Sequence, residues 1–189
     1  MATTKELLLK YVNQDQHPRI AGRYFASEIY QILKGKLTPK NFFEQKEIDI
    51  VGARNIISGI AFEAQLKDIF EKTGIKFKYG DEIKREIKIT DDIVLVVKPD
   101  FEFDDWVLET KYPTRTRQEI PEWYQTQLEC EYRATNKPVR LGIFSYPFDI
   151  TYINYQPDDK RWELIKQTLI EFDKKLKLWN QQQNQKTQI

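Results

Sequence analysis

At 189 residues, with 30 basic against 29 acidic side chains and a net charge of +1, the chain fits one globular domain and lacks the global positive charge of many nucleic-acid-binding proteins. Hydrophobic residues make up 40% and aromatic residues 13%, enough apolar surface for a packed core and too much for wholesale disorder. One cysteine, Cys130, excludes an internal disulfide framework, a four-cysteine zinc site and a cysteine-ligated iron–sulfur cluster. No apolar run approaches the ~18 residues that cross a bilayer. The opening MATTKELLLKYV is too polar for a signal peptide, being interrupted by Lys5, Glu6 and Lys10. The expectation is an intracellular, cytoplasmic protein that does not associate with membranes.

Residues 1–80 read mostly as helix. Tyr24 to Leu33 carries Phe25, Ile29, Ile32 and Leu33 at helical spacing, and Ile56 to Lys72 places Ile56, Ile60, Ala64 (or Phe62), Leu66, Ile69 and Phe70 along a second helix that Gly74 stops. Then the period changes. Ile83, Ile87 and Ile89 alternate approximately, Ile93 to Val97 is continuously apolar, and Trp106 to Leu108 is a third strand-like run. Glu119 to Thr135 returns to helix, Val139 to Tyr146 reads as a strand and Thr151 to Tyr155 as a further candidate. Lys160 to Trp179 forms a long amphipathic helix with Trp162, Ile165, Leu169, Phe172, Leu176 and Trp179 on one face. With no internal repeat and no Gly/Ser-rich linker, residues 1–180 are expected as a single domain and 181–189 as a polar tail. A strand meander followed by a crossover helix and another strand suits an α/β sheet covered by helices.

The segment Val96 to Arg117, VVKPDFEFDDWVLETKYPTRTR, carries the chemistry. An apolar strand ends in Lys98-Pro99-Asp100; eight residues later the next strand presents Glu109-Thr110-Lys111. Alternate strand residues share a face, so Glu109 and Lys111 project together while Thr110 faces away. If the two strands pair as a hairpin, Asp100 approaches Glu109. Two neighbouring carboxylates form a hard oxygen site suited to Mg²⁺ or Mn²⁺, which can activate water and offset charge on a phosphodiester. Lys111 would orient the water or steady the phosphate. Taken singly, an E-x-K on a strand is usually a solvated face and P-D a turn. The flanking Val96, Val97, Val107 and Leu108 place both acids where strand meets core. Glu102, Asp104 and Asp105 read as an acidic hairpin turn, with Glu102 a candidate substitute ligand.

Pro99-Asp100, eight residues, then Glu109-Thr110-Lys111 resembles the signature of the PD-(D/E)xK nuclease superfamily. Within it, the chain is most similar to RecB-like nucleases, including the CRISPR-associated RecB-like exonucleases. The resemblance implies a restriction-endonuclease-like core in the order α-β-β-β-α-β, with a helical N-terminal part and a long C-terminal helix. It also implies a metal-dependent deoxyribonuclease acting on single- or double-stranded DNA, with Asp100, Glu109, Lys111 and Gln127 catalytic. Gly59-Ile60-Ala61-Phe62-Glu63 stands where that group carries G-x-x-x-H-E, which makes Glu63 a third metal ligand beside Asp100 and Glu109. Phe62 replaces the family histidine and cannot bind metal, leaving a carboxylate-only site. Gln127 matches the following Q-x-x-x-Y helix, and Tyr132 comes one residue later than that pattern requires. The iron–sulfur cysteines of some relatives are absent.

Arg115 and Arg117, with Lys111, Tyr112 and Tyr124 nearby, are candidates for contacting DNA phosphates and stacking on bases. Lys34, Lys36, Lys40 and Lys46 form a second basic stretch, more usually a solvated surface. His17, the only histidine, sits before Pro18 without a motif around it, and Cys130 reads as a small core residue. No phosphate-binding G-x-x-x-x-G-K-[ST] loop occurs. The apolar stripe of the last helix is a core face or the face of a homodimer. Two other readings stand beside the nuclease: a Holliday-junction-resolvase-like endonuclease, and a non-catalytic nucleic-acid-binding protein that retains the fold.

Overall fold

Proline has no backbone N–H and cannot continue a strand ladder, so Pro99 marks the point where the chain leaves one sheet for another. The computed structural model describes residues 3–14, 18–45, 47–112, 119–145 and 149–187. In order these form α1 (Thr4–Gln14), β1 (Arg23–Phe25), a 3₁₀ turn (Ala26–Glu28), α2 (Ile29–Leu33), α3 (Ile50–Lys72) and β2 (Lys78–Tyr79). A second 3₁₀ turn (Gly80–Ile83), β3 (Arg85–Thr90), β4 (Ile93–Val97), β5 (Phe101–Glu102) and β6 (Val107–Lys111) follow. The chain continues through α4 (Glu122–Thr135), β7 (Val139–Ser145), β8 (Asp149–Asn154) and α5 (Asp159–Thr187). The architecture is α/β, with mixed sheets flanked by helices and a long C-terminal helix, as the sequence leads one to expect.

The strands expected as one meander belong to two sheets, ordered β1-β4-β3 and β2-β5-β6-β7-β8. Val97 closes β4 in the first; two residues past Pro99, Phe101 opens β5 in the second and pairs antiparallel with Leu108 of β6. The hairpin that brings Asp100 toward the E-x-K strand is therefore β5–β6, not β4–β6. From β6 the chain crosses through α4 to β7, which lies parallel to β6 with Glu109 opposite Leu141. Such a βαβ unit needs a covering helix, and a strand covered on both faces is apolar on both. Only Lys111 of β6 escapes full burial.

Two expected boundaries differ. Tyr24, expected inside a helix, lies in β1 parallel to β4, opposite Leu95, and its hydroxyl donates to Asp173 of α5 at 2.7 Å. The ladder and that buried hydrogen bond outweigh the helical spacing of Phe25 and Ile29; the helix begins only at Ile29. Just before it, Gly22 has φ +80°, and a Cβ there would meet the Asp92 carbonyl oxygen at 2.5 Å. The polar tract expected as a tail is helical through Thr187, a continuation of α5.

Three apolar clusters hold these layers. The first joins β1 and β4 to α2 and α5 through Tyr24, Ile29, Leu95, Ile165, Leu169 and Phe172, and includes Cys130 of α4. The α5 stripe considered as a dimer face thus packs inward, with Trp162 against this cluster. The other two sandwich the larger sheet. Leu66 and Phe70 of α3 pack against Phe101, Leu108 and Phe144 on one face. Leu128 of α4 packs against Val107, Val139, Leu141 and Ile143 on the other.

A buried polar knot ties α4 to the segment entering α5. The Glu129 carboxylate, fully buried, accepts from Arg133 Nε at 2.8 Å, from the Asp158 N–H at 2.9 Å and from the Tyr155 hydroxyl, with Arg161 Nη1 3.9 Å away. Removing one partner of a buried pair strands the others. Glu129→Ala should therefore destabilise the protein by about 3 kcal/mol in urea denaturation, with Glu129→Gln intermediate. Equal stability of Glu129→Ala and wild type would show that the knot contributes nothing.

Candidate active site

The site lies at the end of β6, where the crossing between sheets, the middle of α3 and the second turn of α4 meet. Each element contributes one acid or its support. Asp100, just past Pro99, is held by Thr110, whose backbone N–H and hydroxyl each donate to Asp100 Oδ2 at 2.6 Å. Thr110 does face away from Glu109, and that is how it grips Asp100. Glu109 is buried on the α4 side. Its Oε1 accepts from Gln127 Nε2 at 2.6 Å and from Lys111 Nζ, while its Oε2 is buried without a partner. Lys111 lies with its ammonium 5.4 Å from the Tyr124 ring centroid.

Sequence reasoning missed a fourth carboxylate. Glu131 is buried and accepts from Gln127 Nε2 at 3.0 Å, and its Oε2 also lacks a partner. A helix turns ~100° per residue, so a side chain four positions on lies nearly above Gln127 whereas one five positions on does not. Tyr132 accordingly packs beside the Val139 and Tyr155 cluster, with the Arg133 guanidinium 5.4 Å from its ring. The signal was the i, i+4 spacing, obscured because an acid is seldom fully buried.

The electrostatics follow from crowding like charges out of water. Burial, then Glu109, holds the Asp100 carboxyl well above the usual carboxylate range, against Lys111 and Thr110. Burial, then Glu109, likewise holds the Glu131 carboxyl well above the usual carboxylate range, against Lys111. Glu63 of α3 is raised by burial and then by Glu109, with Lys111 and Lys98 opposing. Tyr79, a second residue the sequence did not single out, is raised by burial and by Glu63 and Asp100. For Lys111, burial lowers the pKa, and Glu109 and Asp100 together raise it by more, so the ammonium stays charged.

The chemistry of this donor set fits a hard divalent cation. Its oxygens come from carboxylates, and Glu109 Oε2 is buried without a hydrogen-bond partner. Asp100, Glu109 and Glu63 would hold the ion, although among the described residues no three acidic, histidine or cysteine side chains close around a single point as they stand. Glu102 has no vacancy: it is buried and held by Arg85 Nη2 at 2.6 Å and Lys137 Nζ at 2.8 Å. Of the basic candidates, Lys34 pairs with Glu122 at the start of α4 at 2.9 Å. Arg115, Arg117, Lys46 and His17 lie outside the described residues. A separate cleft lined by Arg19, Ser27, Glu28 and Glu44 contains none of the candidate residues.

No protein-family model and no curated protein matches this chain. Solved structures do share its fold. An alkaline exonuclease from Laribacter hongkongensis, LHK-Exo, aligns with a TM-score of 0.65 at 13% identity, over 88% of this chain and 94% of its own. The same exonuclease in complex with dAMP gives 0.64 at 14% identity, with the same coverage. The protein SSO0001 gives 0.67 at 15% identity, over 90% of this chain and 86% of its own. At such identities the likeness establishes architecture and leaves function to the site.

The buried acids make stability depend on pH. A carboxyl whose folded pKa lies above its unfolded one stabilises the fold fully below the unfolded value, about 4.3 for Glu. That contribution is lost as pH rises through the folded pKa. Glu131→Gln keeps an acceptor for Gln127 and removes the charge. Without divalent metal at neutral pH, it should melt above wild type, by about 2–4 °C for each kcal/mol of repulsion relieved. The gap should close on acidification below pH 4; a lower melting temperature for Glu131→Gln at neutral pH would contradict this electrostatic account.

Proposed function

We propose that the protein is a divalent-metal-dependent nuclease that hydrolyses phosphodiester bonds in DNA. The observation that carries this reading is the unpartnered buried oxygen of Glu109, on a carboxylate whose other oxygen accepts from Lys111 and Gln127 at one strand end. The fold shared with LHK-Exo, itself solved with dAMP, supports the same reading. A buried acid with an open lone pair costs stability unless something positive occupies it. An all-oxygen donor set with Phe62 in place of a histidine favours Mg²⁺ or Mn²⁺ over softer metals.

A divalent ion bound by Asp100, Glu109 and Glu63 would lower the pKa of a water and offset charge on the phosphate. Thr110 fixes Asp100 through two hydrogen bonds, so this ligand loses little freedom on binding. Gln127 spans Glu109 and Glu131 with one amide nitrogen, which orients its carbonyl oxygen away from both acids. Lys111 remains protonated, and its ammonium can hold the attacking water or a phosphate oxygen as negative charge develops.

Cleavage of end-labelled and circular DNA, single- and double-stranded, tests the reading directly. Activity should require Mg²⁺ or Mn²⁺ and vanish in EDTA; cleavage persisting after thorough chelation removes the metal mechanism. Asp100→Ala and Glu109→Ala should each lower turnover by more than the ~10–100-fold that follows loss of an outer-shell partner. Lys111→Ala should lower the single-turnover rate far more than DNA affinity, and Lys111→Arg should not restore it, since a planar guanidinium does not replace a compact ammonium. A folded Lys111→Ala protein with a normal single-turnover rate would leave only the carboxylates in the mechanism.

A further inference from the structure

An aromatic column rises beside the acids. Phe144 of β7, buried, supports Phe62 of α3 with ring centroids 3.8 Å apart. Phe62 in turn stacks on Tyr112, at 5.9 Å between centroids and 24° between planes. Tyr112 remains 43% exposed. The column is one residue from the site on two elements: Phe62 precedes Glu63, and Tyr112 follows Lys111. A tyrosine used only for packing would be covered, and a tyrosine serving a solvated turn would not be backed by two aromatic rings. This one presents a ring that is supported from below and open to solvent beside the reacting centre.

From this arrangement we infer that Phe62 and Tyr112 form a stacking shelf for an unpaired nucleobase next to the scissile phosphodiester, so that the site favours single-stranded over duplex DNA. The inference rests on the proposed nuclease activity and assigns its substrate class. Aromatic rings take up bases of any identity through their π faces, whereas a base inside a duplex is already stacked between its neighbours. Stacking of one base is worth about 1–3 kcal/mol, equivalent to about 5- to 150-fold in kcat/KM. Phe62, where the resemblance predicts a histidine ligand, thus has a use of its own: it orients the exposed Tyr112 ring.

The test uses the full chain with single-stranded oligonucleotides. One carries 2-aminopurine, whose fluorescence is quenched by stacking; others carry normal bases or abasic positions. With Ca²⁺ in place of Mg²⁺, wild type and Tyr112→Phe should quench 2-aminopurine and Tyr112→Ala should not. Tyr112→Leu, which keeps apolar bulk over Phe62 without a π face, should behave as Tyr112→Ala and separates stacking from packing. With Mg²⁺, wild type should cleave the normal strand about 5- to 150-fold better than the abasic one, and Tyr112→Ala should lose that discrimination. Undiminished quenching or undiminished discrimination in both Tyr112→Ala and Tyr112→Leu overturns the shelf. Quenching by a wild-type protein that cleaves nothing supports the shelf and overturns the nuclease activity instead.

Discussion

Mutual repulsion among carboxylates removed from water is the constraint around which this molecule is organised. Glu63, Asp100, Glu109 and Glu131 arrive from a helix, a sheet crossing, a strand and a second helix, and the Lys111 ammonium lies among them. At an effective dielectric of about 20, unit charges 4 Å apart repel by roughly 4 kcal/mol. Such a cluster survives only if the elements carrying it are held by something else. The three apolar clusters supply that hold. Thr110 and Gln127 supply directed hydrogen bonds, so the acids keep their positions without pushing the elements apart. Under the proposed metal-dependent mechanism, energy stored in the repulsion would be recovered on cation binding, which would set stability against activity.

Much of this arrangement was legible in the sequence, for reasons that can be named. Glu109, Thr110 and Lys111 alternate on a strand, and period-two geometry alone puts Glu109 and Lys111 on one face. Gln127 lies on an amphipathic helix that must cover that face. The division into two sheets was harder to read, because β5 contributes only two residues and leaves almost no periodic signal. Tyr24 read as helical because hydrophobic spacing does not report a ladder partner some seventy residues away, Leu95 in β4. Glu131 was invisible for a different reason: acids usually face water, and this one is buried on α4, where Gln127 donates to it.

The shared architecture at 13–15% identity fits the same logic. Cores tolerate wide substitution when pattern and volume are kept, so helix stripes and strand alternation persist while identities drift. The proposed mechanism, by contrast, would fix the short crossing at Pro99 and the strand end at Lys111, where the position of a single atom would matter.

Helix α3 is anchored unevenly. Its last turns bury Leu66 and Phe70 in the sheet, whereas Ile56 and Ile60 further back are 40% and 47% exposed. Glu63 sits at the transition between the two halves. A segment with few buried apolar neighbours opens at lower free energy than the body of the fold. Amide protons along the first half of α3 will consequently exchange faster than those of β6. Glu63 is thus carried where the more exposed part of α3 meets the part fixed in the sheet, opposite acids held on β6 and at the crossing before it.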